Sequence, residues 1–212
     1  MLLAPQDVEL FFTLHRALMF FVNQRLHVLP DDVASPEEFS SLPPQVRLKV
    51  RDAFLKHADL IGAFVEENPP GLTTDELDIV RSWQHLVHGK FYVFRQLKKY
   101  MVFLSTDKQP IAYGVLALSQ PFEELVGPYL PVLTETVLLP FKGMIVYDGL
   151  MRSYRTSLGP GIRRSLNESF KDAKGGVAFT SSTTSPWRLS PATLTWSTRC
   201  WYRLDGKRRV VS

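Results

Sequence analysis

Near Lys90 the apolar residues of this chain change their period, and that change limits the possible folds more than any other feature of the sequence. Before it, Val8, Phe12, His15, Met19, Val22, Leu26 and Leu29 recur at steps of three and four, which predicts a helix over residues 6–29 with one buried face. Pro30 and Asp31-Asp32 stop it. Ser35-Pro36-Glu37-Glu38 offers a capping hydroxyl, a proline at the first helical position and a glutamate three residues after the cap, so a short helix starts there. Pro43-Pro44 opens a longer helix expected to run to Glu67, with Val50, Phe54, His57, Ile61 and Phe64 along one side, until Asn68-Pro69-Pro70-Gly71 ends it. Thr73-Thr74-Asp75-Glu76 repeats the capping pattern, and Leu77, Val80, Trp83 and Val87 predict the apolar side of a third major helix.

After Lys90, short runs rich in aromatic and β-branched residues take over: Phe91-Tyr92-Val93-Phe94, Tyr100 to Leu104 and Ile111 to Leu118, separated by polar segments such as 105–110. They read as an antiparallel meander. Apolar and polar residues do not alternate cleanly, which predicts a sheet covered on both faces, one of them by the N-terminal helices. A short helix after Pro121 and an extended segment from Val132 to Leu139 follow.

The stretch from Thr136 to Lys174 is the most closely specified part of the chain. Met144 to Tyr147 reads as a strand, and Asp148-Gly149 is the dipeptide of a tight hairpin turn, with Leu150 to Arg155 returning. The competing reading of Asp148 is a catalytic carboxylate at a strand end. Gly159-Pro160-Gly161 precedes a helix with apolar positions at Ile162, Leu166 and Phe170. Free amides at that helix start, together with Arg163 and Arg164, are the chemistry of an anion site; the alternative is simply an efficient helix start, since the lysine and hydroxyl of a P-loop are missing.

The run LLPFKGMIVYDGL followed by LGPGIRRSLNESF, with FYVFRQLKKYMVFLS and YGVLAL upstream, resembles a family of uncharacterised bacterial proteins. The resemblance covers residues 6–174. It implies an order of helical front, small sheet and closing helix, and it carries no activity and no catalytic residue. Family members end soon after the closing helix, whereas this chain continues.

That continuation, residues 175–212, changes composition. It holds Trp187, Trp196 and Trp201, the Thr180 to Ser185 cluster, and six bases against Asp205 alone. One reading is an arm for single-stranded nucleic acid, with the tryptophans stacking on bases. The favoured one is an irregular extension appended by a shifted reading frame.

Charge is unequally distributed. Residues 1–88 carry thirteen acids against seven bases, and the remainder carries eighteen bases against eight acids. A basic C-terminal half suits nucleic acid or an acidic protein. Its candidate contacts are Arg152, Arg155, Gly159, Gly161, Arg163, Arg164 and Lys171, with Lys174 adding charge and Tyr147 or Tyr154 available for stacking. A metal site is the competing idea: Asp78, His85 and His88 would share one face of the third helix, although Arg81 lies in the same patch. His15 and His57 read as neutral rings within apolar stripes.

The expected fold is α+β: N-terminal helices packed on a small, mainly antiparallel sheet, a closing C-terminal helix, and an irregular tail. Residues 1–174 would form one domain, with 1–88 helical and 89–174 strand-rich. The single Cys200 excludes an internal disulfide, and with no leader pattern it points to the reducing cytoplasm. Prolines and Glu135 interrupt the longest apolar run, so no membrane span is expected. No cofactor or nucleophile motif is present. The function expected is a non-enzymatic binding module for nucleic acid or an acidic protein; the alternative is a metal-dependent or other hydrolase whose active site no motif marks.

Overall fold

Seven helices and six strands are formed by residues 2–30, 33–154 and 159–175, the part of the chain that the computed structural model describes. Arg155, the Lys174 side chain and the tail from 176 onward lie outside it. The fold is α+β, with the helices gathered in front of the strands.

Helix α1 (Pro5–Leu26) starts on a proline and ends at His27, which takes φ 48° and donates its N–H to Asn23 O. At α2 (Pro36–Ser41) the Ser35 hydroxyl accepts from the Glu38 N–H at 3.1 Å, while Glu38 Oε2 accepts from the Ala34 N–H at 2.7 Å. The long helix expected after Pro43 is divided into α3 (Pro44–Phe54) and α4 (Leu60–Glu67). Between them the N–H groups of Lys56 and His57 bond carbonyls three residues back, which tightens the backbone and breaks the helix. The break lets α4 set Phe64 against Phe21 of α1, ring centroids 5.4 Å apart, and it turns His57 out to solvent instead of into the apolar stripe.

The third expected helix is also shorter than its stripe. α5 (Thr74–Ser82) has both halves of the capping box between Thr73 and Glu76, but it stops where Trp83 turns into the core. Trp83–His85 forms a 3₁₀ turn, and the Trp83 Nε1–H donates to Pro140 O at 2.9 Å. A buried indole needs that partner. Val87 and His88 therefore belong to the sheet.

The strands are β1 (Val87–Gln96), β2 (Met101–Ser105), β3 (Ala112–Leu116), β4 (Val132–Phe141), β5 (Met144–Tyr147) and β6 (Arg152–Tyr154). β1, β2 and β3 pair antiparallel in sequence order, as the meander predicts. β3 then pairs parallel with β5, β5 antiparallel with β4, and β4 antiparallel with the free side of β1, Val87 facing Leu138. The pairings close on themselves in the order β1-β2-β3-β5-β4-β1. The sheet is thus mixed and closed, so these five strands shelter the backbone edges that an open sheet would expose.

Phe91, Val93, Phe103, Tyr113 and Val115 belong to the main core. The short helix α6 (Phe122–Val126), between β3 and β4, packs Phe122 against Phe103 and Tyr147. Phe11 of α1 meets Phe141 of β4 at 5.6 Å and Trp83 at 5.8 Å, so the same core runs from the helices into the strands. The opposite side chains of the meander, Phe94, Val102 and Leu104, form a second cluster with Leu166 and Phe170 of α7 (Pro160–Gly175).

Asp148-Gly149 does not make a hairpin. β5 and β6 both run antiparallel to β4, with Tyr147 opposite Leu138 and Arg152 opposite Glu135, so four residues, 148–151, bulge out against two. Gly149 takes φ 82°, and a Cβ there would sit 3.3 Å from the Phe12 ring. Gly149→Ala is expected to cost about 1–2 kcal/mol from strained backbone and crowding. Urea denaturation checks this, and an unchanged midpoint would mean that the bulge relaxes freely.

Candidate functional site

The bulge turns Asp148 towards the helices, where it is 3% exposed. Its Oδ1 accepts from the Leu150 N–H at 3.0 Å and from the Thr136 hydroxyl at 3.2 Å. Its Oδ2 accepts no hydrogen bond and lies 3.5 Å from Nη1 of Arg51, a residue of α3 that is 1% exposed. Burial pushes the Asp148 carboxyl up to about 6, against the opposing pull of Arg51 and of its hydrogen bonds. The neighbouring Tyr147 hydroxyl is pushed up to about 12 by burial and then by Asp148.

Arg51 spends the rest of its guanidinium on Asp52 Oδ1, through Nε at 3.3 Å and Nη2 at 3.1 Å, and on Leu150 O at 3.4 Å. From there a chain of charges runs outward. Asp52 Oδ2 accepts from Arg152 Nη2 at 2.9 Å; Arg152 Nη1 is 3.8 Å from Glu135, which also accepts from the Tyr154 hydroxyl and lies 3.5 Å from His88 Nε2. Partial burial raises the Asp52 pKa, but the bonds from Arg152 and Arg51 outweigh it and hold the carboxyl below its ordinary range. The Tyr154 hydrogen bond does the same for Glu135.

Beside Asp148 opens a cleft of about 50 Å³ between α1, α2, α3 and the bulge, with Arg16, Arg47, Arg51 and His15 among its walls. The His15 ring stacks on Phe11 at 5.6 Å and meets Trp83 edge-on at 5.9 Å. Burial, then Arg47 and Arg51, lower its pKa to about 4, so it is neutral at pH 7 as its place in an apolar stripe predicts.

A second surface lies on the meander. The β1–β2 hairpin, residues 87–105, holds Lys90, Arg95, Lys98 and Lys99 and no acid. Tyr100 lies flat over Gly114 of β3, where a Cβ would come within 2.8 Å of its ring. Arg95 stacks on Phe94 and Phe170 at 4.9 and 5.2 Å and donates to Asn167 Oδ1 at 2.9 Å, which joins α7 to the hairpin.

The residues expected to bind an anion are divided among different surroundings. Arg163, Arg164 and Lys171 are exposed on α7, with Arg164 3.3 Å from Glu168. Gly159 and Gly161 border open space, and the Gly159 carbonyl accepts from the Arg163 N–H at 3.3 Å. Arg152 belongs to the ion-pair chain instead, bound to Asp52 and Glu135. Tyr147 is buried, and Tyr154 is taken by Glu135 with Lys90 over its ring. Arg155 lies outside the described residues.

The metal candidates do not share a helix face. Asp78, on α5, pairs with Arg81, His85 sits in the 3₁₀ turn and His88 on β1. Among the described residues no group of three His, Cys, Asp or Glu side chains is placed to hold a metal ion. No described helix is long and apolar enough to cross a membrane.

None of the protein-family models, curated proteins or solved structures compared with this chain matches it. Sequence reasoning missed Arg51 and Arg47. Arg51 sits next to the stripe residue Val50, and a basic residue at that place reads as solvated until its partner, 97 positions away, is known.

Proposed function

We propose that this chain is a non-enzymatic binding module that holds nucleic acid by its phosphates, using the β1–β2 hairpin and the exposed bases of α7. The observation that carries this reading is the hairpin itself: four bases and no acid on the outer wall of a closed five-stranded barrel. Five strands in a Greek-key barrel, the first paired with both the second and the fourth and a helix before the fourth, resemble the OB fold, whose second and third strands and adjoining loops bind oligonucleotides and oligosaccharides. Such an analogy gives a place to look; the charge gives the ligand class.

Lys98 and Lys99 stand in the turn between β1 and β2, and Arg163 and Lys171 lie exposed on the helix that covers the same face. The aromatic residues Phe94 and Phe170 face each other at 5.5 Å, so this surface offers cations rather than open stacking platforms. Binding would accordingly be insensitive to base sequence. The same family of uncharacterised bacterial proteins that the sequence resembles would share this module.

The test is fluorescence anisotropy with a single-stranded DNA and an RNA of mixed sequence at several salt concentrations. Affinity should fall steeply with salt, and Lys98→Glu/Lys99→Glu should weaken binding and reduce the log–log slope by about 1.4, the share of two phosphate contacts on a single strand. Arg163→Glu/Arg164→Glu should weaken it as well. Salt-independent binding, or no binding by the wild type, would sink the reading in favour of an acidic protein partner.

A further inference from the structure

We propose that the cleft beside Asp148 is a binding site for a small tetrahedral oxyanion that still carries a proton at neutral pH: hydrogenphosphate. Three features of the cleft select that chemistry.

The first is unspent positive charge. Arg47 makes only one hydrogen bond among the described residues, from Nε to Leu42 O at 3.1 Å, and Arg16 donates through Nε to Phe12 O at 2.9 Å with a long contact from Nη2 to Thr13. Both guanidinium groups therefore keep N–H donors for a ligand in the cleft they line. No residue of the β1–β2 hairpin lines this cleft, so it is a site apart from the nucleic-acid surface proposed above.

The second is size. A water needs about 10–15 Å³ of such space, so about 50 Å³ admits a handful of non-hydrogen atoms and excludes a sugar or a base.

The third is Asp148 Oδ2, a buried oxygen that is ion-paired with Arg51 but accepts no hydrogen bond among the described residues. A fully ionised oxyanion such as sulfate brings only acceptors and would be repelled by this carboxylate. A ligand with one P–OH donates to it while its other oxygens accept from Arg16 and Arg47, so attraction and proton are both used. The neutral ring of His15, in the same wall, adds no charge of its own.

The experiment is calorimetric titration of the full chain at pH 7.5 and constant ionic strength with inorganic phosphate, glycerol phosphate, sulfate and acetate. Phosphate should bind, with sulfate at least about tenfold weaker because it brings no proton for Asp148 Oδ2. Glycerol phosphate, whose second pKa of about 6 leaves it no P–OH at pH 7.5, should bind as weakly as sulfate, and binding as tight as that of phosphate would overturn the role given to the proton. Arg47→Gln, a change at a half-exposed residue, should lower phosphate affinity by about tenfold or more, and Asp148→Asn should abolish the preference over sulfate. Lys98→Glu/Lys99→Glu should leave phosphate affinity unchanged, which separates this site from the nucleic-acid surface. Absence of phosphate binding at millimolar concentration, or equal binding of phosphate and sulfate by the wild type, overturns the proposal without recourse to any variant.

Discussion

Arg51→Met is expected to cost about 3–5 kcal/mol of stability at pH 7, the largest single effect anticipated outside the apolar core. The methionine fills the aliphatic part of the space, so the loss comes from what the guanidinium leaves behind. Asp148 would then lie buried with a charge and no cation paired to it, and Leu150 O would lose a donor. Two controls separate this account from a simple packing defect. Because the unpaired carboxyl can take a proton, the cost should shrink when the pH is lowered to 5. Because the damage resides in Asp148, adding Asp148→Asn should restore part of the stability, giving a coupling of about 1–3 kcal/mol in a double-mutant cycle. Urea denaturation of the four proteins at the two pH values supplies every term. A cost below about 1 kcal/mol at pH 7, or strict additivity, would mean that the two groups do not depend on one another.

How much of this was legible in the residues differs by the range of the interaction. The caps at Ser35 and Thr73 could be read because their donors and acceptors lie within three residues, and both form as their chemistry requires. The meander was visible for a similar reason: consecutive aromatic and β-branched runs pair with their neighbours. The closure of the sheet was not visible. Val87 faces Leu138 across fifty-one positions, and nothing local to either residue names the other. Asp148-Gly149 shows the same limit at the site. The dipeptide tolerates a positive φ in a hairpin or in a bulge, and which of the two forms depends on β4 continuing alongside both β5 and β6. Arg152 looked like a free surface cation because its acceptor, Asp52, lies a hundred residues earlier. Long helices misled in the opposite sense: stripes through His57 and Val87 persist in the sequence although the backbone leaves the helix to bury Phe64 and Trp83.

His15 and Asp148 should oppose one another in the pH dependence of stability, and removing either one should unmask the other. His15 falls from its ordinary 6.5 to about 4 on folding. Between those values the unfolded chain binds a proton that the folded protein does not, so this residue makes stability rise with pH and fall away as pH drops towards 4. Asp148 rises from 3.8 to about 6. Between those values the folded protein holds the extra proton, so this residue makes stability greatest below about pH 4 and lowers it as pH climbs to 6. Each shift is about two units, on the order of 3 kcal/mol, and over pH 4–6 the two nearly cancel. His15→Gln should therefore leave a protein that loses about 3 kcal/mol relative to wild type between pH 4 and 6, and Asp148→Asn one that gains about as much. The other carboxylates, among them Asp52, Glu76 and Glu135, titrate in all three proteins and drop out of the differences. Denaturation curves at half-unit pH steps measure the two difference slopes. Opposite signs would establish that the fold holds a neutral imidazole and a reluctant carboxylate in the walls of one cleft, each at a cost; parallel curves would show that water reaches both groups and that the cleft is not the low-dielectric site its burial implies.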